Sequence, residues 1–89
     1  MSSPELETLN QLLGGALPLA TIRHLYPDDD RFLRGLSRLL SSGQLRLLTV
    51  EGADVPSWQW HTLLVKGTIL LELDGFRVKL TARGARRVS

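Results

Sequence analysis

Residues 31–43, RFLRGLSRLLSSG, divide their side chains cleanly between two faces when wound at 100° per residue. Phe32, Leu33, Leu36, Leu39 and Leu40 fall within an arc of roughly 120°, the width of a core-facing helical stripe. Arg31, Arg34 and Arg38 fall on the far side, with Ser37 and Ser41 beside them. A helix of this kind buries one face and offers guanidinium groups from the other. Just upstream, one of Asp28, Asp29 or Asp30 is expected to cap it, and carboxylates in a first turn also complement the helix dipole. Gly43 is expected to stop it.

The flanking sequence supplies further elements. Ser3 is a natural N-cap, with Pro4 at the first helical position and Glu5 and Glu7 in the first turn. Leu6, Leu9 and Leu13 then predict an inward stripe ended by Gly14 and Gly15. Pro18 opens a second helix, in which Ile22, Leu25 and Tyr26 face inward, and Pro27 ends it. From Gln44 the run LRLLTVEG is β-prone. Residues 52–67 fit either a short helix from near Asp54, with Trp60, Leu63 and Leu64 inward, or a strand in which Trp58 and Trp60 alternate. The helix is preferred. In TILLELDGFRVKLT, Asp74-Gly75 predicts a two-residue turn. Folding there pairs Leu73 with Phe76, Leu71 with Val78 and Ile69 with Leu80, and sets Glu72 opposite Arg77. A basic tail carrying Arg83, Arg86 and Arg87 follows.

These parts, three helices, a strand and a hairpin, resemble a winged helix-turn-helix. Leu36-x-x-Leu39-x-x-x-Gly43-x-Leu45 looks like the end of the recognition helix in bacterial regulators of the MarR and PadR kind. Leu80-Thr81-Ala82-Arg83-Gly84 is similar to the L-T-x-x-G that follows their last wing strand. The resemblance covers about three quarters of the chain. It implies an α+β fold, a three-helix bundle plus a β-hairpin wing with a short insertion before the hairpin. In it residues 18–26 are the positioning helix, 29–42 the recognition helix and 69–81 the wing. The chain departs from the pattern in the insertion between Gly52 and Lys66, in lacking long dimerising helices, and in the three aspartates at the end of the helix that normally enters the major groove.

Two function classes follow. As a DNA-binding regulator or accessory factor, the domain would use Arg31, Arg34, Ser37, Arg38 and Ser41 on the recognition helix, Arg77 and Lys79 on the wing, and Arg83, Arg86 and Arg87 in the tail. Charge placement favours this: the net charge of +2 divides into −4 over residues 1–30 and +6 over residues 31–89. A homodimer would extend the contact area. As a protein-interaction module, it would instead use Trp58 and Trp60 with Asp28, Asp29 and Asp30, because tryptophan is enriched at binding hot spots.

Enzyme chemistry is not expected. The two histidines, His24 and His61, are not accompanied by clustered carboxylates, and no nucleophile elbow, phosphate loop or zinc-protease motif occurs. The chain has no cysteine, and neither metal nor cofactor is expected. Eighty-nine residues predict a single domain. The beginning MSSPELETL lacks a signal-peptide pattern, and the longest uncharged run, 8–22, is broken by glycine and proline. A cytoplasmic protein without a membrane segment is the expectation.

Overall fold

A computed structural model describes residues 3–88. Helix α1 spans Pro4–Gln11, and the Ser3 hydroxyl oxygen accepts from the Leu6 amide at 3.2 Å, as its cap position requires. The chain then tightens into a 3-10 turn over Leu12–Gly14. Three residues complete a full 3-10 turn, so Leu12 comes beneath Leu9 and both are buried. Leu13, expected inward from α-helical spacing, is rotated out and is 53% exposed.

Strand β1 is the short pair Leu17–Pro18, followed by α2, Leu19–Arg23. Ile22 and Tyr26 are buried as expected, and Leu25 is half-buried. Helix α3, Asp29–Ser41, is the central element. Asp28 is its cap, its Oδ1 accepting from the Arg31 amide at 2.8 Å. Phe32, Leu36, Leu39 and Leu40 are buried, with Leu33 packed against them. At the other end Gly43 takes φ +75°, and the Gln44 and Gly43 amides donate to the Leu39 and Leu40 carbonyls at 3.0 and 3.1 Å. This is a Schellman ending, which turns the chain directly into a strand.

Strands β2, Leu45–Thr49, and β3, Phe76–Leu80, pair antiparallel, and β3 also pairs with β1, giving the order β1-β3-β2. Leu45 faces Leu80, Leu47 faces Val78 and Thr49 faces Phe76 on the side toward the helices. The period-2 alternation puts Arg46, Leu48, Arg77 and Lys79 on the other side. After a turn through Gly52, residues 53–55 run back along the free edge of β2: Thr49 donates to Ala53 at 2.8 Å, and Val55 to Leu47 at 2.8 Å. Pro56, with no amide hydrogen, ends this pairing.

The hairpin expected at Asp74-Gly75 does not form. Residues 68–75 make two 3-10 turns, Thr68–Leu71 and Leu73–Gly75, and the Gly75 amide donates to the Glu72 carbonyl at 2.9 Å. The reason is topological. Both edges of β3 are taken, by β1 and β2, so no edge is left for the preceding segment. Val78 therefore meets Leu47 and Leu17 rather than Leu71, which is 86% exposed, while Ile69 reaches the core. Arg77 lies opposite Leu48 and Pro18 rather than Glu72.

The segment before it is helical, though not from Asp54, which bridges to Leu48 in the edge pairing. Ser57–Gln59 form a 3-10 turn and His61–Val65 a π turn, closed by the Lys66 amide donating to the His61 carbonyl at 3.3 Å. Leu64 is buried, and Trp60 and Leu63 pack on the core. The expected tail is a helix, α4, Ala82–Val88. The Thr81 hydroxyl accepts from the Gly84 amide at 3.1 Å at the start of α4 and donates to the Gly43 carbonyl at 2.6 Å, joining that start to the end of α3. Gly84 is required there, because a Cβ would collide with the Gln44 carbonyl. The result is a small α+β domain. Among the described residues no helix is long and apolar enough to cross a membrane.

Candidate nucleic-acid interface

The basic residues singled out from sequence fall into three separate groups. The first is on α3. Arg31, Arg34 and Arg38 recur every three or four residues, so they share the helix's solvent side, and their side chains are 70%, 70% and 72% exposed. Each stands beside a carboxylate. Arg31 Nε is 3.7 Å from Asp28, Arg34 Nε is 3.2 Å from Asp30, and Arg38 Nη1 is 3.4 Å from Glu5 on α1. Asp29 holds Arg23 at 2.7 Å, tying α3 to α2. All three aspartates thus have intramolecular partners, and Asp28 combines its ion pair with the helix cap.

A groove runs along each flank of this crest. One, of about 360 Å³, lies between α3 and the start of α1, with Tyr26, Pro27 and Gly35 among its walls. The other, of about 340 Å³, separates α3 from the π turn and is lined by Leu33, Ser37, Leu64 and Val65. Arg34 and Arg38 line both. Toward the end of α3, Ser37 and Ser41 share a further hollow with Trp60, His61, Leu64 and Val65, which wall the hydroxyl side of the helix.

The floor of the first groove explains a glycine inside a helix. A Cβ on Gly35 would sit 2.7 Å from Tyr26 Cε1, so only glycine lets the ring pass beneath α3. The ring stands edge-on to Phe32, with centroids 5.6 Å apart. Its hydroxyl is 2.9 Å from Thr8 Oγ1, which itself lies 2.8 Å from the Pro4 carbonyl. Burial pushes the Tyr26 phenol above its ordinary range; the Thr8 hydrogen bond opposes that and the Glu5 carboxylate adds to it.

The second group, Arg77 and Lys79, lies on β3 on the side of the sheet away from the core, together with Arg46. It does not join the α3 crest. The third group is on α4. Arg83 Nη1 donates to the Ser42 carbonyl at 3.0 Å, at the C-cap of α3 where cations meet the dipole, and Arg87 Nη1 donates to the side-chain Oε1 of Gln44 just beyond it at 2.8 Å. Arg86 is exposed. The two tryptophans separate as well. Trp58 is 76% exposed, whereas Trp60 is half-buried and donates its ring N–H to the Val55 carbonyl at 3.2 Å. His24 and His61 are both exposed, and among the described residues no cluster of three or more histidines, cysteines or carboxylates is placed to hold a metal ion.

No protein-family model, curated protein or solved structure matches the chain.

Arg46 was missed from the sequence because it lies in a mostly leucine run. Its place beside the other cations of the sheet emerges only from the strand register, which sets it opposite Lys79.

Proposed function

We propose that the chain is a winged-helix domain that binds duplex DNA, with α2 as positioning helix and α3 as the helix that enters the major groove. The single observation that carries this is the crest of α3, three exposed guanidiniums at helical spacing between two grooves. Guanidinium forks bind phosphate or guanine edges, and the Ser37 and Ser41 hydroxyls supply further hydrogen bonds. The three helices and the antiparallel pair β2–β3 are the parts such a domain needs, with residues 50–75 taking the place of a short wing loop.

The carboxylates beside the arginines do not preclude this role. Exposed pairs at i,i+3 or i,i+4 are worth about 0.3–0.5 kcal/mol, whereas phosphate contacts also release condensed counterions. The test is a titration of duplex DNA at several salt concentrations. Arg34→Ala with Arg38→Ala is expected to weaken binding and to lower the log–log salt slope by about 2. A wild-type protein with no salt-dependent affinity for duplex overturns the proposal.

A protein-interaction role is the second reading, favoured by the exposed Trp58 on the 3-10 turn after Pro56. An indole in water is a candidate anchor for a partner's pocket. Absent duplex binding would leave that role as the better account of the domain.

A further inference from the structure

The positive charges of the sheet have less internal compensation than those of α3. Arg46 lies directly opposite Lys79, and Arg77 is two residues along β3 on the same side, roughly 7 Å from Lys79 at the rise of a strand. Like charges directly opposite one another destabilise a sheet. Only Arg46 has a counter-charge, Asp54 at 3.3 Å, and that pair is itself exposed. Among the described residues Arg77 and Lys79 have neither an ion pair nor a side-chain hydrogen bond, whereas every arginine of α3 stands beside a carboxylate.

From this we infer that the outer face of the sheet, built on Arg46, Arg77 and Lys79, is a second contact surface for the phosphate backbone of duplex DNA. The occupant follows from the chemistry of the face. Its remaining strand members are Pro18 and the buried Leu48, and Trp60, which lines a hollow with Arg46 at the β2 edge, is half-buried and held by the Val55 carbonyl, so the face offers cations without an exposed aromatic platform. Proteins that hold single strands stack bases on aromatic rings. A cationic face without them suits a backbone read independently of sequence. Geometry sets the consequence. The inner face of the sheet and the apolar face of α3 share one core, so the arginine crest and this surface point away from it on different sides of a domain measuring 31 × 27 × 20 Å. A straight duplex lying along α3 does not reach the far face of the sheet. Resting on the α3 role proposed above, the domain therefore joins two duplex segments.

The experiment uses one biotinylated duplex on beads and a second, fluorescent duplex in solution. Wild-type protein is expected to carry the second duplex onto the beads. Arg77→Gln with Lys79→Gln is expected to reduce that capture at least tenfold, lower its salt slope by about 2, and leave the Tm unchanged or slightly higher as the repulsion with Arg46 is relieved. Loss of capture is also expected for Arg34→Ala with Arg38→Ala, with single-duplex binding kept in part by each variant. Undiminished capture by the sheet variant overturns the inference, as does a wild-type protein that binds one duplex but never a second. If the sheet variant loses all duplex binding while the α3 variant loses none, the sheet surface stands and the role of α3 falls.

Discussion

Tyr26 places a phenol inside the domain, and Gly35 makes the space for it. The hydroxyl joins α1 to the turn before α3 through Thr8, so a single hydrogen-bonded group links two elements. Burial holds its proton more tightly in the folded than in the unfolded state, where the phenol titrates near 10. The sign of the linkage follows. Stability from this group is complete below the unfolded value and is lost as pH rises through the raised folded one, because the unfolded chain gives up the proton first. Urea unfolding of the wild type should therefore show stability falling above about pH 10, and Tyr26→Phe should flatten that fall. At neutral pH the same variant is expected to lose about 1 kcal/mol with the hydrogen bond. Tyr26 is the sole tyrosine of the chain, so phenolate absorbance follows it directly. A titration midpoint at the ordinary value would remove the basis for this dependence.

Among the elements, α3 shows what local sequence dictates. Its cap, its apolar arc and its glycine stop lie within sixteen consecutive residues, 28–43, and each depends only on neighbours three to five positions away. Removing the cap tests this. Asp28→Ala should cost about 1 kcal/mol, which for a domain of this size lowers Tm by about 4–8 °C, whereas Asp28→Asn, which can still accept from the Arg31 amide, should change it little. Equal loss in both variants would assign the effect to the ion pair with Arg31 instead. The strands were less legible for a corresponding reason. Asp74-Gly75 carries a strong turn signal, but pairing is decided by which edges are free, and Val78 in β3 finds its partners, Leu47 and Leu17, 31 residues or more away. A register that is self-consistent within fourteen residues gave no warning of that competition. Likewise α4 resembled a charged tail because its anchors, Gly43, Gln44 and Ser42, lie about forty residues upstream.

At the scale of the molecule, folding brings the acidic first third of the chain onto the basic remainder, and part of the candidate site is shaped by that meeting. The arginine pattern of α3 could be read from sequence, but Glu5 beside Arg38 could not, because the contact spans 33 residues. The consequence is a crest whose cations are partly satisfied before any anion arrives, within a chain of net charge only +2. Phosphates that contact Arg34 and Arg38 must compete with Asp30 and Glu5. Glu5→Gln with Asp30→Asn should therefore tighten duplex binding by about three- to fivefold at moderate salt, the free-energy equivalent of two weak ion pairs, one exposed and one made by the half-buried Glu5. It should do so with little change in fold, because Asp28 still caps α3 and Ser3 still caps α1. The same duplex titration measures it, run well below the Tm of both proteins. Unchanged affinity would mean that these carboxylates do not face the bound anion, and the crest would then lose its claim to be the surface that meets DNA.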